Sequence, residues 1–403
     1  MKKTRVNELA ILGAAPTFAE PQHVGRPNVG DRDALLRRIN DMLDRRWFTN
    51  NGPYVRELEE RIAALVGVRH CILVSSGTTA LELTIRATGM TGEAIVPAYT
   101  FVATAHALQW LGLTPVFCDI DRRTHNLDPA RLERLLTPRT SGIIGVHLWG
   151  RPCAVEALAD IAARRNLVLL FDAAHGFGCS HGTRMIGSCG RAEIFSFHAT
   201  KFFHTFEGGA VTSDDDELAA KLRLQRNFGF AGLDTVIALG SNAKLSEIAA
   251  AMGLTLLDGL DDLIEHNRAN YRLYREHVAD IPGVTLTAYD ESARNNYQYI
   301  VFEVDEAVAG IDAADLIAVL RAENIYARRY FYPGCHRMEP YRSQLAGRLD
   351  GLLPETDRLA SRVVCLPNGT AIGAAEIDTI CHLVRLCVRE APAVRARLAG
   401  KSA

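Results

Sequence analysis

No sign of charge dominates this sequence: 45 Lys and Arg face 47 Asp and Glu, for a formal net charge of −2. Without a broad basic field the chain holds no nucleic acid or anionic membrane through overall charge, so an anionic ligand must be held locally. There is no Cys-x-x-Cys pair, and the nine cysteines are an odd, scattered set. That excludes a disulfide framework and the common zinc spacings, and predicts reduced thiols serving as core filler. No apolar run approaches the roughly 20 residues of a membrane span. The run from Leu9 to Ala15 follows the basic Met1-Lys2-Lys3-Thr4-Arg5 but is set off by Asn7 and Glu8. At about seven residues it lies at the lower edge of a secretory leader's apolar stretch, and a cytoplasmic location is expected. Repeats, charge blocks and flexible linkers are missing as well. What is present is 403 residues, 48% hydrophobic and 23% charged, with 32 Gly and 15 Pro. This is a globular average, and at roughly 150 residues per domain it predicts two or three packed domains of a soluble enzyme.

Seven short apolar runs recur at 71–74, 94–96, 115–119, 142–146, 167–171, 193–197 and 209–212. Between them, 79–89, 102–111, 128–136 and 153–165 have helical spacing, and that alternation predicts βαβ units on a mostly parallel sheet. The runs are continuous rather than alternating, which implies burial on both faces. Ser213 before Asp214-Asp215-Asp216-Glu217 reads as a helix cap followed by first-turn acids, opening a helix over 214–225. After helices at 245–257 and 261–280 the rhythm changes to strands at 283–287 and 297–304 and helices at 313–323 and 374–389. The expected organisation is α/β, with a large domain over 1–260 and a smaller α+β domain over 261–403.

Three places carry chemistry. Ser75-Ser76-Gly77-Thr78-Thr79-Ala80 follows a strand and opens a helix, which offers backbone N–H groups, hydroxyls and a helix dipole to a phosphate; it also reads as an ordinary capped turn. Asp172 ends a buried strand, where open α/β sheets bind ligands, although it could equally cap a helix. Lys201 lies in the apolar stretch Phe195-Ser196-Phe197-His198-Ala199-Thr200-Lys201-Phe202-Phe203. Apolar surroundings disfavour an ammonium and make a nucleophilic amine, against the alternative of a lysine that snorkels to water. All three fall at expected strand ends of one sheet.

The motifs Ser-Ser-Gly-Thr-Thr-Ala-Leu (75–81), Pro-Ala-Tyr-Thr-Phe-Val-Ala-Thr (97–104), Phe-Asp-Ala-Ala-His (171–175), Ser-Phe-His-Ala-Thr-Lys (196–201), Glu-Gly-Gly-Ala (207–210) and Gly-Ser-Asn-Ala-Lys-Leu-Ser-Glu (240–247) occur in that order. Together they resemble the DegT/DnrJ/EryC1/StrS family of sugar aminotransferases, pyridoxal-phosphate enzymes of aspartate-aminotransferase fold type I. The resemblance implies that Lys201 carries the cofactor, that Asp172 pairs with its ring nitrogen and that His175 neighbours its phenolic oxygen. It further implies that Phe101 stacks on the ring, that Gly77, Thr78 and Ser196 contact the phosphate, and that Asn242 reaches the phosphate of a neighbouring subunit in a homodimer with composite sites. His204 departs from the family, which often has Asn there.

The implied reaction is ping-pong transamination from L-glutamate to a nucleotide-linked keto-sugar, with Lys201 as both anchor and general base. The wording of the motifs is closer to enzymes aminating a 4-keto-6-deoxy sugar of the dTDP type than to 3-keto ones. Arg328-Arg329-Tyr330-Phe331-Tyr332 and His336-Arg337 form a cationic, aromatic cluster that either holds the substrate's diphosphate and stacks on its rings or is a solvated loop. Arg329, Tyr332 and His336 are the substrate residues it nominates; no metal site is expected. The alternatives are a 3-keto enzyme, an aminotransferase for a free cyclic ketone such as an inositol or aminobenzoate precursor, a non-catalytic regulator, and an oxidoreductase, for which no Gly-x-Gly-x-x-Gly follows a strand.

Overall fold

The computed structural model describes residues 2–399 apart from Ala346 and Asp350; Met1 and residues 400–403, the two ends of the expected domains, lie outside the described residues. All seven apolar runs are strands of one sheet: β1 (His70–Val74), β2 (Glu93–Pro97), β3 (Thr114–Cys118), β4 (Thr140–Val146), β5 (Val168–Asp172), β6 (Ala192–Ser196) and β7 (Gly209–Ser213). Their order is β1-β7-β6-β5-β4-β2-β3, and within this sheet β7 alone runs against its neighbours. Register explains the continuous apolar pattern. Val211 lies opposite Ile72 and Ile194, and Ala210 opposite Leu73 and Phe195. The first set packs with Leu81, Ile85, Leu218 and Leu222 on one face; the second packs with Leu58, Ile62, Ala250 and Leu254 on the other. A sheet covered by helices on both faces leaves no side to be polar. Cutting the fully buried Leu58 back to alanine would cost about 2–5 kcal/mol.

The helix Leu260–Val278 joins this core to a second one. Leu260, Leu263 and Ile264 pack beneath the large sheet, while Tyr271, Tyr274 and Val278 pack with a three-stranded antiparallel sheet of β8 (Val284–Leu286), β9 (Ile300–Val304) and β10 (Val363–Leu366). The N-terminal segment is part of that second core. Leu9 is buried in it, and the fully buried Glu323 accepts from Lys3 Nζ at 2.7 Å, Ala10 N at 2.7 Å and Thr17 N at 2.8 Å. Gln22–His23 then pairs in parallel with Ile325–Tyr326, and Val24 packs with Tyr99, Trp149, Tyr299 and Phe331.

Two local expectations are corrected. The helix expected from 214 is Asp216–Gln225, capped by Asp215, whose carboxylate accepts from Leu218 N at 2.9 Å. Ser213 instead holds the preceding turn, accepting from Asp215 N and donating to Arg191 O. The segment 128–136 is one helical turn, Pro129–Leu132, followed by the 3-10 turn Glu133–Leu135, rather than a continuous helix. All nine cysteines are free and buried. Among the described residues no helix is long and apolar enough to cross a membrane.

Candidate active site

The carboxyl ends of β1, β5 and β6 meet, and the expected chemistry collects there. Backbone bonds on both sides fix the end of β5: His147 N donates to Asp172 O at 3.0 Å, and Ala173 N donates to Ile194 O at 2.8 Å. Asp172, 6% exposed, accepts from Thr104 Oγ1 at 2.8 Å and from Ala174 N at 3.1 Å. Burial nevertheless pushes its carboxyl above the usual range, against those two bonds and the pull of Lys201. A buried carboxylate met mainly by neutral donors calls for a cation.

Lys201 sits in the turn that leaves β6, where Lys201 N bonds His198 O and Thr205 N bonds Phe197 O. Its ammonium donates to the Tyr299 hydroxyl at 3.1 Å. Burial lowers its pKa to about 8, with the nearby Asp172 charge opposing the shift. The sign is that of a desolvated cation: the neutral amine, the nucleophile, is half populated near pH 8 instead of above 10. Reductive trapping of Lys201 by an aldehyde in the apoenzyme should therefore rise with pH to a midpoint near 8; a midpoint at the ordinary lysine value would refute this environment.

His175, 7% exposed, accepts the Trp149 backbone N–H on Nδ1 at 3.2 Å. Burial, then the charge of Lys201, drives its pKa well below the usual histidine value. The ring is thus neutral, with its proton on Nε2, a fixed donor.

An anion cradle lies beside these groups. Helix Gly77–Thr88 begins after Ser76, whose Oγ accepts from Thr79 N at 3.0 Å. Gly77 and Thr78 thus hold the first-turn N–H groups. Two glycines are dictated by close approach. A Cβ on Gly77 would lie 2.8 Å from the Cβ of Ser196, and one on Gly209 would lie 2.6 Å from Gly77 N. The Glu-Gly-Gly motif therefore lets β7 run tight against the cradle, and Ser196, at the end of β6, stands across from it.

Aromatic rings wall the centre. Phe101 leaves 57% of its surface exposed, with its ring 6.1 Å from that of Phe331. Phe331 stacks on the fully buried Trp149 at 5.7 Å, and His175 lies 4.4 Å from Tyr299. Sequence reading missed Tyr299, Trp149 and Thr104, and placed Phe331 in the substrate cluster rather than in this wall. Thr104 stood in a quoted motif and Tyr299 in an expected strand, but neither residue type announces a partner that distant in sequence.

The outer residues divide. Of the 328–332 stretch, Tyr330 and Phe331 join the aromatic wall, whereas Arg329 lays its guanidinium 3.5 Å over the Tyr332 ring, facing a cavity of about 700 Å³ with Asp305, Arg362 and Arg395. His336 is 7% exposed and bonds Asp357 at 3.0 Å on a neighbouring cleft of about 300 Å³ that Tyr332 also borders. Asn242 is exposed; its neighbour Ala243 accepts from Ser75 N at 2.9 Å, which sets it beside the cradle turn. His204 is buried and faces Asn28, with Nε2 2.8 Å from Asn28 O.

A cofactor with a phosphate, an aldehyde and a basic ring nitrogen suits the cradle, the lysine amine and the buried carboxylate respectively, and all three sit on an aspartate-aminotransferase fold of type I. The class is thus that of the pyridoxal-phosphate-dependent aminotransferases. Residues 31–385 match the DegT/DnrJ/EryC1/StrS aminotransferase family, and the chain belongs to that family of sugar aminotransferases. It is similar to dTDP-4-amino-4,6-dideoxy-D-glucose transaminase of Shigella dysenteriae, with 35% identity over 91% of this chain and 99% of that one. Among solved structures, DesI in the presence of its TDP-sugar product superposes with a TM-score of 0.94 at 50% identity, covering 98% of this chain and 100% of that one. The 3-amino-5-hydroxybenzoic acid synthase is more distant, with a TM-score of 0.82 at 27% identity over 91% of this chain and 100% of that one.

Proposed function

We propose that this enzyme moves the amino group of L-glutamate to C4 of a dTDP-linked 4-keto-6-deoxyglucose, giving the 4-amino-4,6-dideoxy sugar nucleotide. The observation that carries the reading is the Lys201 amine, desolvated and held at 3.1 Å by Tyr299. The likeness to the Shigella transaminase and to DesI with its TDP-sugar product supports the choice of sugar. When bound, pyridoxal phosphate supplies a carbonyl to accept the amino group and a ring that delocalises the electron pair left on the substrate carbon. Asp172 would keep a proton on the ring nitrogen, His175 Nε2 would donate to the phenolic oxygen, and the exposed ring of Phe101 would pack against the cofactor. Gly77, Thr78 and Ser196 would hold its phosphate. Lys201 Nζ takes the proton from the donor's α-carbon and later delivers one to the sugar carbon that becomes the amine carbon. Trp149, Tyr299 and Phe331 exclude water from that transfer. Arg329, Tyr332 and His336 line the path of the nucleotide.

A homodimer with composite sites fits the segment that leads to Asn242. It exposes Leu233 at 95%, Val236 at 57%, Ile237 at 63% and Leu239 at 67%, an apolar group of the kind that marks an interface. A second copy seated there would carry Asn242 toward its partner's phosphate. We also read the chain as two domains, 1–260 with an N-terminal arm that reaches onto the second and 261–403, working in the cytoplasm.

The test is incubation with L-glutamate and the dTDP-4-keto-6-deoxy sugar, followed by mass spectrometry of the nucleotide sugar. An amino product formed with ping-pong kinetics, by a species of twice the chain mass in sedimentation, is expected. Turnover confined to a 3-keto sugar or a free cyclic ketone would overturn the substrate assignment.

A further inference from the structure

Asn28 is 2% exposed, on a strap that also passes Val24 and Gly25, and it joins three parts of the molecule. Its Nδ2 donates to the carbonyl of Phe202, the residue after Lys201, at 2.7 Å. Its Oδ1 accepts from Thr370 Oγ1 at 2.6 Å and Thr370 N at 3.3 Å. Its own carbonyl accepts from His204 at 2.8 Å; since His204 Nδ1 accepts from Phe206 N at 3.2 Å, the imidazole proton is on Nε2. The strap also presses on the other side of the lysine, where a Cβ on Gly25 would lie 2.6 Å from Thr200 O.

Thr370 continues the connection. Two residues earlier, Asn368 Nδ2 donates to Tyr297 O at 2.6 Å, just before Tyr299, the partner of Lys201 Nζ. Lys201 follows a strand of the large sheet and Tyr299 precedes a strand of the small one, and nothing in the regular hydrogen bonding of either sheet fixes their separation. Side-chain bonds do: the route Phe202, Asn28, Thr370, Asn368, Tyr297 acts together with Gln298 Nε2, which donates to Thr200 O at 3.4 Å, and with the Tyr289 hydroxyl between Trp149 O and Tyr299 O. A buried amide that engages both its donor and its acceptor in this way holds the backbones it joins at fixed separation, on the scale that proton transfer requires.

We propose that Asn28 is a positioning residue for the transamination, setting Lys201 Nζ against the Tyr299 hydroxyl by tying the lysine turn to the 368–370 segment. His204 is its second anchor, which gives the departure from the family's usual Asn a role in holding the strap rather than at the mouth of the site.

The inference rests on Lys201 being the cofactor lysine, so borohydride trapping and peptide mapping of the wild-type holoenzyme come first; a label on another lysine would sink that reading and not this geometry. In the Asn28→Ala holoenzyme, kcat should fall about tenfold to 100-fold with KM for both substrates within about twofold, since misplacement by an ångström costs that much. The pH at which the visible band of the lysine-bound cofactor titrates should shift at the same time. Wild-type kcat with an unmoved titration, or a loss restored by excess cofactor, would overturn the proposal and leave Asn28 a purely structural residue. Should that variant not fold, Thr370→Val, which removes the 2.6 Å bond, and Thr370→Ser, which keeps the hydroxyl, decide the matter. Lower kcat and a shifted titration in the valine variant alone support it, and equal behaviour of the two overturns it.

Discussion

Replacing Lys201 with alanine should leave a folded protein that no longer transaminates, with kcat lower by about 10⁴-fold or more because anchor and proton carrier are lost together. The fold should survive. Lys201 lies in a turn outside the strands, and its side chain makes a single hydrogen bond, to Tyr299. Removing a desolvated ammonium also relieves a burial cost, so the melting temperature should hold or rise slightly. The checks are turnover with L-glutamate and a keto-sugar, circular dichroism, and absorbance. Cofactor retained through the cradle should absorb as the free aldehyde and fail to be fixed by borohydride. Retained turnover would refute the assignment of Lys201.

Asp172→Asn should keep the fold and the bound cofactor but cut kcat by about 10²- to 10³-fold, the scale of removing one buried electrostatic partner of the reacting system. The amide is close in shape and still accepts from Thr104 or Ala174 N. What disappears is the negative charge that stabilises a protonated ring nitrogen, and with it the electron withdrawal that makes the donor's α-proton acidic. The loss should therefore fall on kcat, and exchange of the α-proton of glutamate into solvent should slow in parallel. Wild-type exchange rates would exclude the ring-nitrogen role.

The large sheet was legible because its physics is local and repeated. Each run of three to five apolar residues is a strand with both faces covered, and the motif residues fall at the strand ends, where the backbone must stop and turn. The helices Arg32–Arg45 and Pro53–Val66 and the strand Val363–Leu366 went unread. Arg32–Arg45 is mostly polar with only Leu35 and Met42 buried, so its amphipathic stripe is thin. Asp172, Lys201 and the cradle stood out by residue type and placement. Tyr299 and Asn28 did not, since what they do depends on contacts with residues 98 and 174 positions away. The antiparallel run of β7 was equally invisible, because both directions bury the same side chains.

The lodging of Leu9 and Lys3 against residues contributed by the last third of the chain bears on biosynthesis. Lys3 and Leu9 leave the ribosome long before Glu323 and the helix Ala374–Arg389, with which they pack. The large sheet can assemble during translation, whereas the second core closes only once the helix Ala374–Arg389 has emerged, with Leu9 waiting to be buried until then. Termination after the large sheet is complete but before that helix yields a nascent protein with an assembled sheet and an unburied Leu9, recognisable to chaperones and proteases.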